Sequence, residues 1–499
     1  MKATRAKPAT ALQPVADAAH AGDVARHGIA GVARLKATVI DGGYCVGCGS
    51  CAAVPGSPIR MAMDRFGRLQ ATIDHADAGM RDIEVTPVCP FSDAAADEDQ
   101  IAAELFSAPG ARRDARIGWS REVWAGHVTE GDFRKEGSSG GMGNWVAAEL
   151  LRLGEIDAIV HVKPDADGRL FSFAISRTLQ ELRTGAKSRY YPVEMSAVLR
   201  LIRERPGRYA LVGVPCFVKA ARLQARQDPV IAQRLRFTIA LVCGHLKSER
   251  FAAMFAWQMG LHPSRMSGFD FRVKSETGRA NQYSVRAVGR QRDGTPFDRT
   301  RQNKDFFGYL WSHGLFKYRA CDYCDDVMGE TADITVGDAW LPGFVDDPQG
   351  SNVVIARHRR IEEIVRRAIG EGRLSLAPMS IDDAAQSQDA GLRHRRLGLA
   401  VRLARAARQK RWAPPKRFRD GRLTRRQSLV YIVREIMAER SHEAFQRALD
   451  SGRFEIFARR MIPYMALHDW LNRNRSFRSA VKMLLGNFWA ALTRRRGTT

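Results

Sequence analysis

The spacing of eight cysteines constrains this chain more than any other feature. Four fall early, in Cys45-Val-Gly-Cys48-Gly-Ser-Cys51 and Cys89-Pro90-Phe91. Four fall later and apart: Cys216 after Gly-Val-Pro, Cys243 before Gly-His, and the pair Cys321-Asp-Tyr-Cys324. The first forty residues mix Lys, Arg, Asp and His with Ala and contain no apolar leader core. No run reaches the ~20 apolar residues that a membrane span needs. The expected compartment is the cytoplasm, where disulfides are rare and cysteines serve as ligands, catalytic thiols or buried apolar groups.

Three cysteines at two-residue spacing let one tight loop set three thiolates around one face of an iron–sulfur cluster. Gly47, Gly49 and Ser50 between them are small enough for backbone N–H groups to approach the sulfurs. The arrangement is similar to bacterial ferredoxin loops, except that Pro55 stands where the compact motif has its fourth cysteine, so Cys89 is expected to serve. A tetrathiolate zinc site more often uses two paired C-x-x-C knuckles than a triple. In the later group, Cys216 and Cys243 each end an apolar strand pattern, at the sheet edge where open α/β folds gather their ligands. Cys321 and Cys324 are expected to fold over them. For this second group the spacing leaves a cluster and a zinc ion both open.

Hydrophobic residues make up 45% of the 499, a globular composition. Strand patterns at Val123–Val128, Ile156–Val162, Tyr209–Val214 and Phe237–Val242 alternate with helical stretches at Asn144–Leu153, Val218–Ala225 and Ser248–Met259. That alternation predicts an α/β core with a mixed, partly parallel sheet. Phe269–Val273 and Tyr283–Val288 read as a strand pair, and Ile334–Val336 and Val353–Ala356 as short strands. The domain order expected is a disordered tail (1–38), an N-terminal ferredoxin-like iron–sulfur region (39–116), an α/β catalytic domain (117–380) and a basic helical extension (381–499).

A glycine-rich turn, Ser138-Ser139-Gly140-Gly141, opens a helix with Asn144 in its first turn. Free N–H groups and a positive dipole end suit a phosphate there, although Ser-Gly turns are also ordinary helix caps. Lys187-Ser188-Arg189-Tyr190 adds cations, a hydroxyl and an aromatic ring; a solvated basic loop would have the same composition.

Taken together and in order, these pieces resemble the coenzyme F-420 hydrogenase/dehydrogenase beta-subunit family. That family includes 7-hydroxymethyl chlorophyll a reductases and ferredoxin-dependent divinyl chlorophyllide 8-vinyl reductases. The resemblance spans Tyr44 to His358 and also rests on Leu241-Val-Cys243-Gly-His-Leu-Lys-Ser248, Ala332-Asp-Ile-Thr-Val-Gly-Asp338-Ala-Trp340 and Gly350-Ser-Asn-Val-Val354. It implies FAD on the α/β core, with Ser138, Ser139, Gly140, Gly141, Asn144, Lys187, Ser188, Arg189 and Tyr190 near the flavin. It implies one [4Fe–4S] cluster on Cys216, Cys243, Cys321 and Cys324 and a second on Cys45, Cys48, Cys51 and Cys89. It places Asp338 and Trp340 close to the Cys321–Cys324 loop. The activity implied is an electron relay from a ferredoxin-like donor through both clusters to FAD and on to a small-molecule substrate. Catalytic residues are not assigned: His245, or His127 with His161, could donate a proton, and each could equally be a satisfied polar residue.

The net charge is +25, which suggests an anionic partner. From Ile381 onward, 27 Lys and Arg stand against 10 Asp and Glu, a net +17. Such helices can lie on anionic lipid at the inner membrane face, and a solvated basic face on a helical cap accounts for the same residues. No nucleic-acid motif is present, so a specific nucleic-acid partner is not expected. Two rivals to the reductase reading stand at this point: an electron-transfer subunit without its own substrate, and a zinc-stabilised binding protein working through its basic C-terminus.

Overall fold

The computed structural model describes residues 31–73, 83–165, 168–473 and 476–496. An eight-stranded sheet organises it: β1 (Glu122–Val128), β2 (Ala158–Pro164), β3 (Phe171–Ser176), β4 (Tyr209–Gly213), β5 (Leu235–Leu241), β6 (Ile334–Asp338), β7 (Asn352–Ala356) and β8 (Leu374–Pro378). Their spatial order is β8-β1-β7-β6-β5-β4-β2-β3. The four central strands β2, β4, β5 and β6 run parallel, and antiparallel strands flank them on both sides. The central strands are mostly apolar because both faces are covered, with His161, Thr238 and Thr335 as buried polar exceptions. The mixed sheet is the one expected.

Helix α1 (Met142–Arg152) turns Met142, Trp145, Val146 and Leu150 into the core on one side of the sheet. Helix α2 (Pro215–Gln227) starts with proline at its first position, where the missing N–H has no partner to lose. Arg222 on α2 pairs with Asp333 at 2.6 Å, and Asp333 also accepts the Thr238 N–H of β5 at 2.6 Å. This buried pair locks α2 to the sheet, with its charge compensated on both sides.

β1 runs in the same direction as β6, since each is antiparallel to β7. The segments after β1, β4, β5 and β6 therefore leave one common edge. That places the 137–141 turn, Cys216, Cys243 and Asp338 together, although 201 residues separate the first of them from the last.

Several elements differ from the sequence expectation. Of the expected tail, residues 1–30 lie outside the described residues. Residues 31–40 are helical, with Val32, Leu35 and Val39 buried in the core that surrounds the early cysteines. Between Cys51 and Cys89 a hairpin forms, pairing Ile59–Met63 with Leu69–Ile73. Asp64 makes its turn by accepting the Phe66 and Arg68 N–H groups, and too few residues flank that turn for a clear period to show. The expected pair, Phe269–Val273 with Tyr283–Val288, forms as Met266–Val273 with Ser284–Arg290 and has a third strand, Pro296–Gln302, whose exposed Asp298, Thr300 and Gln302 are polar.

The C-terminal extension is helical as expected: α3 (Asp389–Arg395), α4 (Leu397–Arg408), α5 (Arg425–Ser451), α6 (Phe454–Arg473) and α7 (Phe477–Arg496). Phe445, Phe457 and Met461 enter the same core as Phe251, Trp257 and Phe307. Among the described residues no helix is long and apolar enough to cross a membrane.

Candidate functional site

The early cysteines sit on a loop whose shape depends on glycine. Gly47 and Gly49 have φ of +72° and +80°, and a Cβ on Gly47 would lie 2.5 Å from the Leu69 oxygen. That close approach lets the hairpin cover the loop. Cys45 Sγ accepts the Gly47 N–H at 3.4 Å and the Ala71 N–H at 3.5 Å. Cys89 closes the group from its own turn, where Cys89 N donates to Thr86 and Ser92 N donates to Cys89. Burial raises the pKa of Cys45, Cys48 and Cys51 and pushes the Cys89 thiol up to about 12; at Cys48 and Cys51 the sulfurs of the same group add to it.

The later four line one small cavity: Cys216, Cys243, Cys321 and Cys324, with Asp326 and Arg395. Cys321 Sγ accepts the Leu246 N–H at 3.2 Å. Burial again dominates, raising Cys216 and Cys324, Cys243 to about 11 and Cys321 to about 12. Val46, next to Cys45, and Phe91, two residues after Cys89, line this same cavity, so the two groups are neighbours. No three of the eight sulfurs lie within 4.8 Å of one another. Among the described residues the one trio that close is His313, His468 and Asp469, a buried hydrogen-bonded group tying α6 to the 311–313 turn.

A larger cavity of about 240 Å³ opens beside the second group, and Cys243 and Leu246 line both. Ser138, Ser139, Gly141 and Asn144 line it from the glycine turn, and Lys187, Ser188, Arg189 and Tyr190 from the opposite loop. Ser138 Oγ accepts the Ser188 N–H at 2.8 Å and joins the two segments. Gly140 does not line the cavity. A Cβ there would meet Asn352 Oδ1 at 2.7 Å and Gly126 O at 2.8 Å, so Gly140 lets the turn lie flat on β1 and β7. Asn352 Oδ1 accepts the Met142 N–H at 3.1 Å and holds the start of α1.

Lys187 Nζ donates to the Arg272 carbonyl at 3.2 Å and lies 3.3 Å from Asp270. The Arg189 guanidinium lies 4.7 Å from the Phe171 ring centroid. The Tyr190 ring packs on Trp311 at 5.0 Å, and His245 stacks on the same indole at 4.2 Å. Asp338 pairs with Arg272 at 2.7 Å in the cavity wall. His161 lines the cavity and bonds Ser176 Oγ at 2.8 Å, whereas His127 lines a separate depression. The structure does not bring those two histidines into one site. Burial lowers His161 to about 4 and His245 well below its usual value, so both imidazoles are neutral at pH 7.

Arg272, Trp311, Arg395 and Lys416 are contributions that sequence reasoning missed. Each is a single residue outside any motif, brought in by a strand or helix from another part of the chain.

Part of the extension's basic charge has a destination that composition did not reveal. Arg395 and Arg402 are each no more than 2% exposed. Arg402 Nε donates to the Asp322 carbonyl at 2.6 Å, between Cys321 and Cys324. Lys416 Nζ lies 3.6 Å from Asp325 and 4.5 Å from the centroid of Phe91, which follows Cys89-Pro90. Arg417 pairs with Asp325 and Glu330. These cations face the cysteine loops and not solvent or a lipid surface.

No curated protein matches the chain. Among solved structures, a chain of the F420-reducing [NiFe] hydrogenase complex from Methanosarcina barkeri, studied as a xenon derivative, is 16% identical. That alignment covers 57% of this chain and 92% of the other, with a TM-score of 0.43. Two family models match in sequence, both for the coenzyme F420 hydrogenase/dehydrogenase beta subunit: the model of its N-terminal part over residues 123–200 and the model of its C-terminal part over residues 207–382. Between them they take in the glycine turn, the 187–190 loop and all four later cysteines, and the chain belongs to the coenzyme F420 hydrogenase/dehydrogenase beta-subunit family.

Proposed function

We propose that the chain is a flavin-dependent iron–sulfur oxidoreductase that holds two [4Fe–4S] clusters and FAD. The observation that carries this is the sequence of neighbours: the early cysteine group beside the later one, and the later one sharing Cys243 with the large cavity. When bound, the clusters supply one-electron transfer and the flavin supplies two-electron transfer.

The residues present fit these groups. A tetrahedral zinc site with Zn–S of about 2.3 Å would bring its four sulfurs to about 3.8 Å from one another. The wider spacing of the cysteines supports a cluster over a single ion. Buried thiols of raised pKa lose their protons on ligation, so loading is coupled to proton release. In the large cavity the glycine turn offers N–H groups at the start of α1, suited to a pyrophosphate. Lys274, drawn to about 7 by burial together with Arg134, Lys187 and Arg272, donates to the Ser139 carbonyl behind that turn at 2.8 Å. Trp311, Tyr190 and His245 form an aromatic wall suited to a flat ring. On this reading Ser138, Ser139, Gly141, Asn144 and Lys187–Tyr190 hold the flavin and Gly140 shapes the turn. A ferredoxin-type protein is the donor and a small molecule the acceptor.

The family's description as a beta subunit favours a second reading, in which the chain passes electrons within a larger complex. Anaerobic purification with assay of iron, sulfide and released flavin tests the cofactor content; about eight irons, eight sulfides and one flavin per chain are expected. Zinc without iron or flavin, after attempted reconstitution, defeats the proposal. Reduction of a substrate panel by the isolated chain with reduced ferredoxin separates the reductase from the subunit.

A further inference from the structure

Arg395 is 2% exposed, on the last turn of α3, beyond the end of the family match at residue 382. Its Nη2 donates to the Cys243 carbonyl at 3.1 Å and the Gly244 carbonyl at 2.8 Å, and lies 3.7 Å from Cys243 Sγ. Its Nε is buried without a hydrogen-bond partner. Among the described residues no carboxylate comes within 4.0 Å of it, whereas Arg417, Arg222 and Arg272 each have at least one. Asp326 shares the cavity wall, and its two oxygens accept the Gly329 and Glu330 N–H groups. A buried guanidinium with no counter-charge is strongly unfavourable. The four sulfurs lining the same cavity become thiolates on ligation and then supply the negative charge it faces.

We propose that Arg395 is the counter-charge of the group on Cys216, Cys243, Cys321 and Cys324, and that the extension sets the reduction potential of that centre through it. The inference rests on the cluster reading above. A [4Fe–4S] cluster on four thiolates is a dianion when oxidised and a trianion when reduced. Reduction adds one electron, from dithionite in the titration, and breaks no bond. A fixed cation stabilises the trianion more, so it raises the potential, and it acts most strongly where water is excluded. Arg395 is thus a positioning and tuning residue that acts on the cluster and leaves the substrate untouched. Among the described residues no arginine side chain contacts a sulfur of the early group in this way; Lys416, against Phe91, stands between the groups and acts on both Cys89 and Cys324.

The test is an EPR-monitored redox titration of the full chain, loaded anaerobically, comparing wild type with Arg395→Met and Arg395→Lys. One midpoint should move negative in Arg395→Met by at least a tenfold change in the reduced-to-oxidised ratio at fixed potential, which is about 59 mV for one electron. The other midpoint should move less, and Arg395→Lys should recover most of the shift. Arg395→Met carrying both clusters at unchanged midpoints overturns the proposal. If Arg395→Met binds only half the wild-type iron, Arg395→Lys must restore the rest; failure to do so shows that the fork's shape matters and the charge does not, which also overturns it. A wild-type chain that takes up no iron defeats the underlying cluster reading instead, before any variant is compared.

Discussion

Removing the Arg272 side chain as Arg272→Met should loosen the wall of the large cavity. Arg272 makes two contacts with Asp338, at 2.7 and 3.3 Å, and its guanidinium lies within 5.1 Å of Tyr283 and 5.8 Å of Trp340. The two side chains are only 6% and 19% exposed. Breaking a buried pair from one side strands the other charge, at a cost of about 3–5 kcal/mol. Partial exposure of Asp338 puts this pair at the lower end, about 3 kcal/mol. Amide hydrogen exchange in Met266–Val273 and Ile334–Asp338 reads the local opening directly and needs no two-state assumption for the whole chain. With ~1.4 kcal/mol per tenfold, protected amides there should exchange on the order of 100-fold faster. Asp338→Asn combined with Arg272→Met removes both charges and should cost less than the sum of the single changes by at least about 1 kcal/mol. Additive single effects would refute the reasoning, because they would mean that the two groups already face water.

Cys51→Ala and Cys324→Ala should each reduce bound iron from about eight per chain to about four, measured by metal analysis, since each removes a ligand from a different group of four. Loss of all iron in both variants would mean a single shared centre. Gly140→Ala should displace the glycine turn from Asn352 and Gly126, costing about 1–3 kcal/mol, and should lower flavin retention after desalting far more than Gly370→Ala, whose Cβ would meet nothing within 4 Å. Acid should destabilise the fold between about pH 6.5 and 4. Burial holds His161 at about 4 and His442 at about 3, so both are neutral in the folded chain and must be charged on acidification. Their contribution is present above the ordinary histidine value and is lost as pH falls through the folded values. His442→Leu should flatten the decline of Tm across this range, and an unchanged slope would count against it.

The parts legible in the sequence were those where local pattern and chemistry agree. Apolar runs the length of a strand, alternating with helical stretches, marked the parallel centre of the sheet, because strands covered on both faces leave little room for polar residues. The Cys45–Cys51 triple and the Cys321–Cys324 pair were visible because such spacings are short-range, and Cys216 and Cys243 as strand-end residues that one sheet edge brings together. The glycine turn and the 187–190 loop were visible as separate pieces, each with a bland alternative. Tertiary structure decided the rest, since it depends on contacts between distant residues. It laid the segments after β1, β4, β5 and β6 along one edge, joined Ser138 to Ser188, separated His127 from His161 and gave Gly140 a packing role. It also redirected the reading of charge. Composition counts cations but cannot say which way they face, and a run of arginines on helices reads as a solvated or lipid-facing surface. Only packing shows that Arg395, Arg402 and Lys416 turn inward on the cysteine loops, where low dielectric makes each one count for more than the exposed majority.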